Sequence, residues 1–206
     1  SILLDEPFSA LDSFLRRQIE YDLSTAMRDF DGYQFFVSHD RDEIFRMCSQ
    51  IVVLTKGSVE VSGDRQAIFH QPSTVGVARL TGCQNIASAI PVDEHRVAVP
   101  AWGLILNTAN KVAPDVSHVG IRAHFIRPPN EGEAINVFDF CIVQDRQSPF
   151  SRSEYLFVKH PAGLGGLANG RHDWLLREQP GYSLETVRQH TCRLCLPPDK
   201  ILLFGD

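Results

Sequence analysis

The sequence predicts an α/β segment followed by an all-β one. Three observations carry this. Over the first third, short apolar runs alternate with an apolar period of about four residues, the marks of buried strands and amphipathic helices. The pattern changes near "QPSTVGVARLTG". Beyond it come short strand-like runs bounded by Pro, Gly, Asn or Asp at about ten-residue spacing, the rhythm of a β barrel or sandwich. The boundary is placed near residues 72 to 83, with domains over 1–80 and 81–206.

In order, "SILLD" reads as a buried parallel strand. Leu15, Ile19, Leu23 and Met27 then recur every fourth residue among charges, which makes an amphipathic helix that Asp12 or Ser13 caps. "QFFVS" is the next strand, and "HDRDEIFRMC" a second helix with acids at its start, where the helix dipole favours them. "IVVLT", the turn "KG" and "SVEVS" form a hairpin. "DRQAIFH" is a short helix that stops before Pro72. In the second part the strands are "NIASAI", "HRVAV", "LILNT", "HVGIRA", "VFDFCIV", "YLFVK", "DWLLRE", "CRLCL" and "KILLF"; "GLGGLANG" is expected to be a mobile loop.

The 206 residues carry a formal charge of −5, which gives no reason to expect a nucleic-acid partner. No stretch approaches the roughly 18 apolar residues of a membrane span, and no secretory leader is evident, so a cytoplasmic location is expected. The 5 cysteines form no even framework. Cys192 and Cys195 are spaced C-x-x-C, but on a strand positions i and i+3 face opposite ways, against a shared metal.

The chemistry begins at Asp5 and Glu6. A strand that delivers adjacent carboxylates to its C-terminal edge places them where α/β ligands bind. One can hold a hard cation and the other can orient a water. On the pair alone, two solvated acids at a strand end are the commoner case. The context is longer: "LLDEP", then "FSALD", a helix, a strand, and "VSHD".

This ordered pattern resembles the nucleotide-binding subunit of ATP-binding cassette (ABC) transporters over residues 1 to about 70. The resemblance implies that "ILLDE" is the Walker B strand of a P-loop ATPase fold. Asp5 would help hold Mg²⁺, through water, and Glu6 would be the catalytic carboxylate that polarises the attacking water. "SALD", with Ser9 and Asp12, would be the loop that crosses between two subunits and couples their ATP sites. His39 would be the switch histidine at the γ-phosphate. The implied assembly is a homodimer through its ATPase domains. It would sit on membrane permease subunits at the inner face of the membrane and be served indirectly by a solute-binding protein. The G-x-x-x-x-G-K-[ST] loop, the Q-loop glutamine and the "LSGGQ" signature do not occur in these residues. The chain is therefore expected to be the C-terminal piece of a longer ATPase, inactive by itself.

The β-rich part resembles the OB-like transport-associated (TOBE) regulatory domain of importer ATPases, through "ARLTGCQNI", "HVGIRAHFI" and "LCLPPDKILLF". Molybdate and sulfate importers resemble it most, which implies an oxyanion solute. Thr81, Gln84, Asn85, Arg122 and His124 are of types that bind oxyanions, with Arg122 and His124 on one face of a strand; a solvated or interdomain face would place them equally well. Phe125 and Ile126 are expected in the core. Two rivals remain: a DNA-repair or structural-maintenance ATPase head, whose Walker B and switch segments are similar, and a non-enzymatic ligand-sensing or dimerisation module.

Overall fold

A computed structural model describes residues 1–147, 151–160, 163–164, 175–180 and 191–205. The chain divides into two units, Ser1–Gln71 and Pro72–Asp206.

In the first unit, β1 (Ile2–Asp5), α1 (Ser13–Arg28) and β2 (Gln34–Val37) form a strand–helix–strand crossover. β1 and β2 pair in parallel, with Ile2 opposite Gln34 and Asp5 opposite Val37. Asp12 caps α1: its Oδ1 accepts the Leu15 amide at 3.0 Å. The apolar stripe of α1 stays half-buried at Ile19, Leu23 and Met27 and exposed at Leu15. Among the described side chains of α1 the buried one is Glu20, whose carboxylate accepts Arg46 Nη2 at 2.8 Å and Nε at 3.2 Å. α2 (Arg41–Met47) begins at the cap Asp40 and carries Asp42 and Glu43 in its first turn. β3 (Gln50–Thr55) and β4 (Ser58–Asp64) form an antiparallel hairpin. Its turn residues, Lys56 at φ 52° and Gly57 at φ 79°, both take the left-handed backbone that a tight two-residue turn requires. α3 (Arg65–His70) follows, capped by Asp64.

The second unit opens with α4 (Val75–Leu80), capped by Thr74. The strand pattern conceals this short helix. Ala78 is fully buried and packs with Cys83 and Phe204. Residues 72–80, assigned above to the first domain, therefore cluster with the second. Then come β5 (Asn85–Ser88), β6 (Ile90–Asp93), β7 (Arg96–Val99), β8 (Leu104–Asn107) and β9 (Val116–Ile121). "NIASAI" is thus two strands, split at Ala89, whose amide turns to Ser117 O. β10 (Val137–Gln147), β11 (Ser151–His160), β12 (Gly163–Leu164), β13 (Leu175–Pro180), β14 (Thr191–Cys195) and β15 (Leu202–Gly205) complete the described strands. Residues 165–170 of the expected mobile loop lie outside the described residues.

Every described pairing in this unit is antiparallel. One sheet runs β12-β11-β10-β14 with β13 on β11, a second β15-β9-β5, a third β6-β7-β8. A single apolar cluster draws on all three, among it Val97, Leu106, Val119, Phe140, Leu156 and Leu194. Side-chain amides tie the layers. Asn85 donates to Leu176 O at 2.7 Å and accepts its amide at 2.6 Å, extending β5 toward β13 as a peptide would.

Candidate functional site

The parallel register of β1 and β2 sends both chains out at one edge, since Asp5 lies opposite Val37. Asp5 is exposed there. The Glu6 amide donates to Val37 O at 2.8 Å, so the two exits stay tied for one residue past the strands. Glu6 has φ 47°, a left-handed conformation that is unusual for a residue with a side chain. Its carbonyl accepts both the Ser9 amide, at 3.2 Å, and Ser9 Oγ, at 3.0 Å, which holds the turn. Phe8, fully buried with its ring 5.7 Å from that of Phe36, anchors the loop beneath.

The consequence of that backbone turn is a contact: Glu6 Oε1 lies 2.8 Å from His39 Nδ1. The histidine side chain is 82% exposed and the Glu6 side chain 33%. The hydrogen bond to Glu6, and then the charge of Glu6, hold the imidazole above its ordinary pKa against a small desolvation effect. Ser38 and Asp40 flank it. Ser38 Oγ donates to Glu43 Oε2 at 2.7 Å and accepts the Asp40 amide at 3.0 Å. Asp40 caps α2 through the Asp42 amide at 2.9 Å and the Glu43 amide at 3.3 Å. The structure thus brings together Asp5, Glu6, Ser9 and His39 at one edge, with Asp12 as the cap of α1. Motif reading passes over Arg16, which bonds Asp40, and the buried Glu43. The available signal was a buried-side acid in the first turn of α2 and a basic residue one turn into α1.

This edge can do two things chemically. A carboxylate beside an imidazole accepts a proton or orients a water. A protonated imidazole donates from both nitrogens, so the one not held by Glu6 remains for an anionic oxygen.

The second-unit candidates are placed differently. β9 ends at Ile121, so Arg122 and His124 are not on a strand; the chain turns into a 3-10 segment, Ala123–Phe125. The turn aims Arg122 inward and leaves His124 exposed. Arg122 is buried, and donates from Nη1 to Thr81 O at 2.5 Å and from Nη2 to Thr81 Oγ1 at 3.0 Å, at the C-terminal end of α4. Asn85 is taken up by Leu176, and Gln84 is exposed. His124 packs 4.2 Å from the Phe125 ring, with its pKa lowered by partial desolvation and then by the Arg122 charge. Ile126 is buried, and Phe125 packs against the core. Burial pushes the Cys192 and Cys195 thiols up to about 11, so both are protonated at neutral pH. Among the described residues no helix is long and apolar enough to cross a membrane.

No family model matches the chain. It is similar to curated import proteins. It is 39% identical over 94 residues to the spermidine/putrescine import ATP-binding protein PotA of Nitratidesulfovibrio vulgaris, covering 46% of this chain and 26% of that protein. The same protein of Mannheimia succiniciproducens is 36% identical over 115 residues, covering 54% and 31%. The sulfate/thiosulfate import ATP-binding protein CysA of Bradyrhizobium diazoefficiens is 30% identical over 166 residues, covering 78% and 48%. The chain thus spans between 26% and 48% of the length of these relatives.

Proposed function

We propose that this chain carries the hydrolytic edge of an ABC importer ATPase, followed in sequence by a regulatory β domain. The observation that carries the reading is the Glu6–His39 pair, 2.8 Å apart at the common end of two parallel strands. In this reading Glu6 accepts a hydrogen bond from the attacking water and aligns it. His39, its pKa raised by Glu6, donates its other N–H to the γ-phosphate when protonated. Ser9 and Asp12 shape the loop that meets a second subunit. Asp5 fits a hard cation, being an exposed carboxylate at the strand end, and would hold Mg²⁺. Held there, the ion would supply neutralising charge for the phosphates. The work of the protein is otherwise positioning and electrostatics.

The homodimer, the permease partner, the inner-face location and the TOBE character of the second unit belong to the same proposal. The solute is proposed to be an oxyanion such as molybdate or sulfate. The match to a sulfate/thiosulfate import protein over 78% of the chain supports it, because that span must extend well into the second unit. Polyamine uptake is the competing outcome, given the relatives named for spermidine and putrescine.

The test is Glu6→Gln in the intact gene product. ATP should still bind while steady-state phosphate release falls by about a hundredfold or more, the scale of a lost catalytic group. An unchanged rate in a protein that hydrolyses ATP removes Glu6 from the role. Uptake assays with radiolabelled sulfate, molybdate and spermidine then separate the solutes.

A further inference from the structure

Behind the Glu6–His39 pair, a layer of charge joins the two loops that carry it. Arg16 lies one turn into α1. Its Nη1 is 3.4 Å from Asp40 Oδ2 and 3.5 Å from Glu43 Oε1, and its Nη2 donates to Leu11 O at 3.4 Å. Leu11 belongs to the "SALD" loop, and Asp40 follows His39 directly. Glu43, with 4% of its side chain exposed, gives one oxygen to Arg16 and the other to Ser38 Oγ at 2.7 Å. One turn further along both helices the polarity reverses, with Glu20 on α1 accepting Arg46 of α2. Arg16 and Glu20 are four apart on α1, and Glu43 and Arg46 three apart on α2, so each pair lies along one helix face. The two bridges therefore fix the register of α1 against α2 with their N-terminal ends together.

We propose that Arg16 is a positioning residue that locks the Ser9–Asp12 loop to the Ser38–Asp40 loop and thereby holds His39 against Glu6. A planar guanidinium suits the task. It reaches a carbonyl and two carboxylates from directions fixed by its plane, whereas an ammonium is a compact charge whose donors rotate. Nη1 meets the two carboxylates at the start of α2 while Nη2 holds the Leu11 carbonyl of the other loop, so loosening one loop loosens the other. The consequence for catalysis rests on the function proposed above; the coupling of the loops does not.

Two measurements on Arg16→Gln test this. Hydrogen exchange on the 206-residue chain should show faster exchange at the amides of both loops together, with the β3–β4 hairpin unchanged. In the intact gene product kcat should fall by about tenfold while KM for ATP moves less than about twofold, as expected when a group is displaced without loss of ground-state binding. Arg16→Lys should recover part of the loss. Should Arg16→Gln not fold, Asp40→Asn keeps the cap oxygen and drops the charge, and the same paired loosening is expected. Unchanged exchange in both loops, loosening confined to α1, or an unchanged kcat in a protein that hydrolyses ATP overturns the proposal. If the unmodified protein shows no ATP hydrolysis and the loops still loosen together, the functional reading fails and the positioning role stands.

Discussion

His39 has a side chain that is 82% exposed and a pKa that is raised, so little desolvation opposes the effect of its neighbour. The cause is local, the Glu6 carboxylate accepting from Nδ1 and then adding its charge. Because the folded value lies above the ordinary one near 6.5, the pairing stabilises the fold fully below that pH and is lost as pH rises through the folded value. Glu6→Gln should therefore bring the His39 titration, followed through its ring protons by NMR, back down toward the ordinary value. A curve identical to that of the unmodified chain would contradict the pairing. The sequence order "LLDEP…SALD…SHD" makes these residues candidates, but does not bring them into contact. That contact depends on Glu6 adopting φ 47°, and nothing about a glutamate announces a left-handed backbone. Arg122 and His124 show the opposite limit. Their spacing of two suggested one strand face, and the chain leaves the strand at Ile121, before either.

At the scale of elements, what could be read depended on whether the signal was local. The Lys56–Gly57 hairpin and the capped start of α1 rest on neighbouring residues and were legible. α4 is short, and its helical character comes from burying Ala78 against Cys83 and Phe204, contacts distant in sequence for Phe204. β10 and β11 extend past their apolar runs because their polar ends pair with each other, Asp145 opposite Glu154 and Gln147 opposite Arg152. There Arg152 Nε sits 3.0 Å from Asp145 and 3.2 Å from Glu154, and Arg177 Nη1 3.0 Å from Glu154. Glu154 is 3% and Arg177 7% exposed. Removing the shared carboxylate leaves buried guanidinium charge uncompensated, a loss of about 3–5 kcal/mol. Glu154→Gln should lower unfolding free energy by that order in a urea titration, and Glu154→Leu with Arg177→Met should recover much of it. A change under about 1 kcal/mol in the single variant would mean that water reaches the row.

For the molecule as a whole, the two units differ in how they are held together. The second has a large apolar cluster fed by three sheets, with Val97, Leu106, Val119, Ile121, Phe140 and Leu156 fully buried, beside a smaller one around Ala78, and inner amides such as Asn85 and Asn136 engaged. Asn136, at φ 52°, closes one corner by itself: it accepts the Asn107 amide at 2.7 Å and donates to Asn107 O at 2.7 Å and Leu196 O at 3.0 Å. The first unit has two separate two-stranded sheets, and such sheets are marginal alone. Leu3, Phe35, Val37, Val52, Leu54 and Val59 remain exposed on it. Stability should follow this division. Residues 72–206 expressed alone should unfold in one cooperative urea transition with dispersed amide NMR signals. Residues 1–71 alone should show a shallow, non-cooperative loss of helix by circular dichroism and should bind a hydrophobic dye. A cooperative transition in 1–71 would mean that its buried residues, Phe8, Ile51, Val53 and Ile68 among them, suffice as a core. Non-cooperative unfolding in 72–206 would mean that the three sheets do not share one.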